Sequence, residues 1–347
     1  MTRRALWVTP VSNLAGVSRK ILDAARVGIP GYALTVAAPA GPVLDRLAQL
    51  GVPTHVLPLD SSPVQAVRQL RTIILDLKPA VVHTHLARAD FLVPAAAFGL
   101  PTHLVSSEHG IAADDRLYHS GRAKALVRRA LHHARSRRYD ALIAVSESTK
   151  REMIRAWRPT PPIHVVLNGV DRPQCQPREP GTRFLSLARL APEKRIPDTL
   201  RAFARLAGDL PAATLTVAGD GPARAEAVSL AHDLGLADRV TFPGYLEPED
   251  ALADHDVLVQ LSAWENASYS VLDAVVHGLG VVATPVGGNP EILPGHCMAD
   301  GDDVERVAAL LREQALQVDR RPTLPGGWPS VADMTAQIAA VYEEVIG

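Results

Sequence analysis

Two carboxylates, Glu265 and Asp273, stand eight positions apart in Ala263-Trp264-Glu265-Asn266-Ala267-Ser268-Tyr269-Ser270-Val271-Leu272-Asp273, where a polar loop gives way to an apolar helix. The first falls in the loop and the second about one turn inside the helix, so both can face a ligand held at the positive helix end. A carboxylate there accepts hydrogen bonds from ribose or hexose hydroxyls, while free N–H groups of the same turn serve phosphate. The pattern also suits an acid that merely offsets the helix dipole, followed by a solvated Asp273. Upstream, Arg189-Leu190-Ala191-Pro192-Glu193-Lys194 sets a guanidinium and an ammonium five positions apart at the end of a strand. A planar donor fork and a movable point charge would clamp a diphosphate and neutralise the charge that it gains as a leaving group. Alone, the spacing equally fits two surface cations.

These residues need a scaffold that brings strand ends together. Apolar runs read as strands at Ala5–Val11, Tyr32–Ala37, His55–Pro58, Val81–His83, His103–Ser106, Ala141–Val145 and His164–Leu167, with helical stretches around 16–28, 41–50, 63–77, 88–98, 120–138 and 147–156 between them. A Pro-rich segment, Arg172 to Gly181, follows, and a second series of strands lies near 183–188, 214–218, 239–242, 256–260 and 281–284. The expectation is α/β: a Rossmann-like domain over 1–170, a linker over 171–182, a second such domain over 183–325, and a helix over 326–347 returning to the first lobe. Two doubly wound parallel sheets would face each other across a cleft. In such sheets ligands sit beyond the carboxyl ends of strands. Gly16, His83, His85, His109, Arg189, Gly219, Gly221 and Glu265 all fall there. The last helix carries Met334, Ile338, Val341 and Tyr342 at core spacing, which reads as packing rather than chemistry.

The chain has 347 residues, 47% hydrophobic and 21% charged, which describes a globular protein with room for two cores. Cys175 and Cys297 match neither a disulfide framework nor a zinc spacing, so a reducing cytosol is expected. The opening apolar run is too short for a signal peptide core, and no stretch is long enough to span a bilayer. The net charge of −1 hides an asymmetry: residues 1–168 carry 22 Lys and Arg against 11 Asp and Glu, and residues 169–347 carry 14 against 26. Eight basic residues lie between Arg116 and Arg138, and Arg122, Lys124, Arg128, Arg129 and Arg135 could form a face for an anionic acceptor or the inner face of a membrane, with His85 as a further acceptor-side residue. A solvated helix face explains the same run, and His132 and His133 within it are expected to be solvated. Nucleic acid is not expected, since no stacking aromatics alternate with the charges. His83 and His85, alternate residues at a strand end, also admit a metal pair.

The order of motifs narrows this. Leu14-Ala15-Gly16-Val17, Ser107-Glu108-His109-Gly110, Ala144-Val145-Ser146-Glu147-Ser148, Asn168-Gly169-Val170-Asp171, the Arg189 and Lys194 pair, Gly219-Asp220-Gly221-Pro222, Val240-Thr241-Phe242-Pro243-Gly244, the Glu265-Asn266 segment and Gly287-Gly288 follow one another along the chain. In this the sequence resembles glycosyltransferase family 4, the retaining sugar-nucleotide transferases of GT-B fold, over essentially its whole length. The resemblance implies that Arg189 and Lys194 bind the donor diphosphate, Glu265 contacts the transferred sugar, and His109 approaches sugar or acceptor. It implies donor contacts from Gly16, Gly219, Gly221, Asn266, Ala267, Ser268, Tyr269 and Ser270, and a ribose contact from Asp273, which stands where the family usually has Glu. Ala15-Gly16 replaces the usual Gly-Gly pair. The expected activity is transfer of a hexose-type sugar from a nucleotide diphosphate sugar, UDP favoured over GDP, to an acceptor hydroxyl, with no cofactor. Because the positive pair does a metal's electrostatic work, the reaction is expected to be metal-independent. An epimerase or hydrolase of sugar nucleotides, or a non-catalytic sensor, would share the same lobes.

Overall fold

Short apolar strands alternate with amphipathic helices, and each helical crossover returns the chain to lay the next strand parallel to the last. The computed structural model describes residues 2–58, 62–110, 130–173 and 178–347. It divides into two units, Met1–Gly169 with Pro329–Gly347, and Val170–Trp328.

In the first unit the strands are β1 (Arg3–Val8), β2 (Tyr32–Ala38), β3 (Thr54–Val56), β4 (Val81–His85), β5 (His103–Glu108), β6 (Ala141–Ala144) and β7 (Ile163–Val165). They form one parallel sheet in the order β3-β2-β1-β4-β5-β6-β7. Between them run α1 (Gly16–Val27), α2 (Pro42–Gln49), α3 (Pro63–Leu77), α4 (Ala87–Ala96), a helical stretch α5 over 130–136, and α6 (Glu147–Trp157). Two apolar layers cover the sheet. One joins Trp7, Ile21, Val36, Leu47 and Ile143 to the chain's last helix through Met334, Ile338, Val341 and Tyr342. The other joins Leu6, Leu70, Val82, Leu104 and Trp157.

In the second unit β8 (Arg183–Leu187), β9 (Thr214–Ala218), β10 (Val240–Gly244), β11 (Val257–Gln260) and β12 (Gly280–Ala283) pair in the order β10-β9-β8-β11-β12, again all parallel. Its helices are α7 (Ile196–Asp209), α8 (Arg224–Asp233), α9 (Pro248–Ala253), α10 (Tyr269–Val276), α11 (Asn289–Ile292) and α12 (Val304–Leu316). The last helix, α13 (Val331–Ile346), opens on a capping box in which Ser330 and Asp333 satisfy each other's backbone N–H groups. Arg178 and Gly181, within the Pro-rich segment, pack on the second unit: the Arg178 guanidinium donates to the carbonyls of Leu252, Ala253, His255 and His277, and Gly181 N–H donates to Ala315.

Both sheets reverse their strand order once, between β1 and β4 and between β8 and β11. At such a point the two flanking connections leave on opposite faces and open a crevice beyond the strands' carboxyl ends. Among the described residues, no helix is long and apolar enough to cross a membrane.

Candidate functional site

In the second unit, Arg189 follows β8 and Glu265 follows β11, so the switch point brings them to the same end of adjacent strands. Lys194 closes the 3-10 turn Pro192–Lys194 and donates to both carboxylate oxygens of Glu265, at 2.6 and 3.0 Å. The two side chains are 18% and 12% exposed, a partly buried ion pair joining residues 71 positions apart. Arg189 remains 60% exposed and pairs with Glu193, four residues on. Glu193 was not anticipated as a partner, although its place inside the Arg-to-Lys interval was visible. Its carbonyl also accepts from Ala263 N–H at 2.7 Å, stitching the β8 loop to the β11 loop. The four charges sum to zero, and although Arg189 is paired, most of its side chain is left exposed.

Glycine lets these loops touch. Gly219 and Gly221 have φ of +129° and +153°, and a Cβ on either would stand 2.0 Å from the Ala188 carbonyl oxygen or 2.3 Å from that of Leu190. Leu190 N–H donates to Asp220 and Ala223 N–H donates back to Leu190, both at 2.9 Å. Here the two glycines support the backbone that carries Arg189. Gly287, at φ +56°, packs so closely beneath Glu265 that a Cβ would lie 1.5 Å from its carbonyl oxygen.

The helix after Glu265 starts where the sequence placed it. Ser268 is the N-cap of α10, accepting from Val271 N–H, and it also accepts from the Gln260 amide at 2.9 Å. Ser270 donates to the Leu187 carbonyl at 3.0 Å, fastening α10 to the end of β8. Both hydroxyls are thus engaged within the protein, and what the turn can offer a ligand is backbone N–H. Asn266 and Tyr269 are buried and Ala267 is half-buried. Asp273, on α10, is 5% exposed, which removes the alternative of a solvated acid.

In the first unit the β1/β4 switch gathers a different chemistry. Gly16 is exposed at the first position of α1. His83 and His85, at the end of β4, are fully buried with their rings stacked at 4.5 Å, and Trp7 packs against both. His85 Nδ1 lies 2.9 Å from Nε2 of His109, which follows β5 and is half-buried. Trp7 Nε1 donates to Tyr342 Oη at 2.8 Å, Tyr342 Oη lies 2.6 Å from His83 Nδ1, and His83 Nε2 lies 2.8 Å from Ser107 Oγ. The last helix therefore brings a polar group to β4 as well as a packing face. Lys20, on α1, is fully buried and donates to the Val166 carbonyl at 3.3 Å. Sequence reading missed it; its signal was a lysine at core spacing, three residues after Val17 and four before the buried Ala24. Burial pushes the Lys20 amine down to about 7 and the His85 imidazole down to about 3, the latter with a smaller contribution from the Lys20 charge. His83 and His109 are held well below the usual imidazole range, again chiefly by burial.

Three expectations need correction. His85 is not part of an exposed acceptor or membrane face, since its ring is enclosed by Trp7 and His83. Arg135 points inward: the buried carboxylates of Asp90 and Glu108 require a cation, and the guanidinium also lies over the rings of Trp157 and Phe91 at 4.9 and 5.6 Å. His132 is buried and stacks on Trp157 at 4.4 Å, and His133 sits against the Trp157 and Arg158 carbonyls, so neither is simply solvated. Arg122, Lys124, Arg128 and Arg129 lie outside the described residues.

The chain also contains two Asp-x-Asp triplets. Asp254-His255-Asp256 has Asp256 bound to Arg183 at the opposite, amino end of the sheet, and Asp300-Gly301-Asp302 presents two exposed acids. Among the described residues, no group of three His, Cys, Asp or Glu side chains is arranged to hold a metal. A cavity of about 630 Å³ also lies at that amino end, lined by Arg178, Arg183, Asp256 and His277, but its arginines are committed to carbonyls and to Asp256.

Comparisons with known proteins converge on one kind of relative. Residues 26–173 match the family described as Glycosyltransferase Family 4, and residues 170–313 match Glycosyl transferases group 1. A glycogen synthase of Mycobacterium tuberculosis is 29% identical over 290 residues, 75% of this chain and 68% of the relative. A GDP-mannose-dependent alpha-(1-6)-phosphatidylinositol monomannoside mannosyltransferase of the same organism is 27% identical over 331 residues, 85% of this chain and 83% of the relative. Among solved structures, Anabaena HepE in complex with UDP and glucose superimposes with a TM-score of 0.78 at 18% identity, covering 99% of this chain and 96% of that one.

Proposed function

This chain belongs to glycosyltransferase family 4 and transfers a sugar from a nucleotide-sugar donor through a GT-B fold, and from that premise we propose that it is a retaining, metal-independent hexosyltransferase that favours a UDP-sugar. The observation that carries the reading is the meeting of Arg189, Lys194 and Glu265 at the β8/β11 switch point.

In this proposal the donor diphosphate draws Arg189 from Glu193 and rests against Arg189 and Lys194. Glu265 accepts hydrogen bonds from the transferred sugar, backbone N–H groups at the start of α10 face the phosphates, and Asp273 receives the ribose hydroxyls. The Asp273 carboxylate is one methylene shorter than the family's usual Glu, which leaves that contact longer or bridged by water. Bond cleavage gives an oxocarbenium-like sugar, and the departing diphosphate, neutralised by the two cations, takes the acceptor hydroxyl's proton on the same face. A double displacement would need a carboxylate nucleophile at the anomeric carbon, and no acid here is matched to that role. In the first unit, the exposed Gly16 turn offers backbone N–H to anions, and His109 offers a ring nitrogen to sugar or acceptor. An anionic or lipid-linked acceptor, met at the inner face of a membrane, is supported by the excess of 11 positive charges over residues 1–168 and by the phosphatidylinositol-based acceptor named for the mannosyltransferase relative.

The test is thermal denaturation of the purified protein with UDP, GDP and their common sugar conjugates, with and without EDTA. A ligand of the folded state alone raises the melting temperature. A rise with uridine nucleotides, unchanged by EDTA and lost in Lys194→Ala, is the expected result. A rise with GDP alone would reassign the donor, and dependence on a divalent ion would overturn the metal-independent mechanism.

A further inference from the structure

The buried polar network of the first unit fixes hydrogen positions by elimination. Trp7 Nε1 can only donate, so the Tyr342 oxygen accepts from it and turns its own O–H toward His83 Nδ1. His83, neutral in its buried setting, then carries its proton on Nε2 and donates to Ser107 Oγ. That ring is locked, and its stack with His85, together with Trp7 at 4.6 Å on another side, fixes the plane of the His85 imidazole.

His85 and His109 share one hydrogen bond of 2.9 Å, and one of the two rings must supply the proton. His85 Nε2 is fully buried and meets no hydrogen-bond partner among the described residues. If His109 donated, that Nε2 would be a buried N–H with nothing to accept it. If His85 donates from Nδ1, Nε2 is instead a bare lone pair, the less costly orphan.

We propose that His85 is a positioning residue that donates from Nδ1 to His109 Nε2 and so holds His109 as the Nδ1–H tautomer, presenting a hydrogen-bond donor rather than a base to the ligand. The loop around His109 is already anchored, since Glu108 accepts from Gly110 N–H at 3.0 Å and from Arg135 at 3.1 Å. What His85 adds is the rotation and protonation state of the ring. A His109 whose Nε2 lone pair is engaged cannot take a proton from an acceptor hydroxyl, and its Nδ1–H is available to a sugar hydroxyl or phosphate oxygen. This role in catalysis rests on the transferase reading above; the tautomer itself does not.

The experiment uses the full chain labelled with ¹⁵N-histidine and a long-range ¹⁵N–¹H correlation spectrum, with His109→Gln to assign the resonance. His109 is expected as a neutral Nδ1–H imidazole from pH 8 down to pH 5.5. An Nε2–H tautomer, or an imidazolium at pH 6, overturns the proposal whether or not transfer is ever detected. In a transfer assay, His85→Leu should lower kcat about 10- to 100-fold with little change in KM, and His85→Asn, whose amide can donate from nearly the same place as Nδ1, should recover most of that loss. Equal loss in both folded variants would reduce His85 to a packing residue.

Discussion

Arg189 and Lys194 hold their charges in different environments, and their variants should separate accordingly. Removing either donor of a preorganised diphosphate clamp is expected to lower turnover about 100- to 1,000-fold in a transfer assay. Arg189→Ala should leave the urea midpoint almost unchanged, because the side chain is largely exposed. Lys194→Ala should lower unfolding stability by about 2 kcal/mol, since it leaves the Glu265 carboxylate without its cation in a site where only 12% of that side chain is exposed. Glu193 competes with an incoming anion for Arg189, so Glu193→Gln should tighten nucleoside diphosphate binding about twofold to fivefold by calorimetry, with the gain shrinking as salt is raised. A weaker complex would mean that Glu193 orients Arg189 instead of occupying it. That Arg189 and Lys194 could act together was legible in their spacing; that each already faces a carboxylate was not.

At the scale of elements, the loops after β8, β9, β11 and β12 act as one assembly because glycine lets backbones meet. The Gly287 turn supports Glu265 from below, so Gly287→Ala, at positive φ and with a Cβ driven into the Glu265 carbonyl, must displace one loop or the other. We expect a loss of about 2–4 kcal/mol in denaturant unfolding, together with loss of nucleotide binding. Retained binding at reduced stability would show that Glu265 does not depend on that turn for its place. The Gly-rich motifs were legible as loop markers, but that Gly219 and Gly221 lie against the Ala188 and Leu190 carbonyls was not. The same limit applies to α5, where Arg135 sits in a basic run that looks solvated until Asp90 and Glu108 arrive from α4 and β5.

For the whole chain, the first unit closes through its last helix, which sets Tyr342 against Trp7 and His83 across 335 and 259 residues. The same unit also buries the Lys20 amine, and pH should report it. The Lys20 amine sits at about 7 when folded and near its ordinary value of 10.5 when unfolded, so between these values the unfolded chain binds more protons. Stability should therefore rise with pH across that window, by at most about 1.4 kcal/mol per unit; below pH 7 the charged amine is buried at full cost. Urea unfolding at pH 7, 8 and 9 should show the slope in the native sequence and its loss in Lys20→Met. An unchanged slope in that variant would mean that Lys20 is not the group responsible.

The sequence by itself determined the alternation of strands and helices, the division into two series, and the placing of His109, Arg189 and Glu265 in loops that follow strands, with Gly16 opening the first helix. These are local properties: side-chain period, turn chemistry and capping act over a few residues, as at Ser268 before α10. Tertiary structure alone decided the strand orders that put β1 beside β4 and β8 beside β11, the Lys194–Glu265 pair, the inward turn of Arg135 and the burial of Lys20, His83 and His85. Whether a charge or an imidazole is solvated, paired or enclosed depends on which groups arrive from distant elements, and no window of sequence contains them.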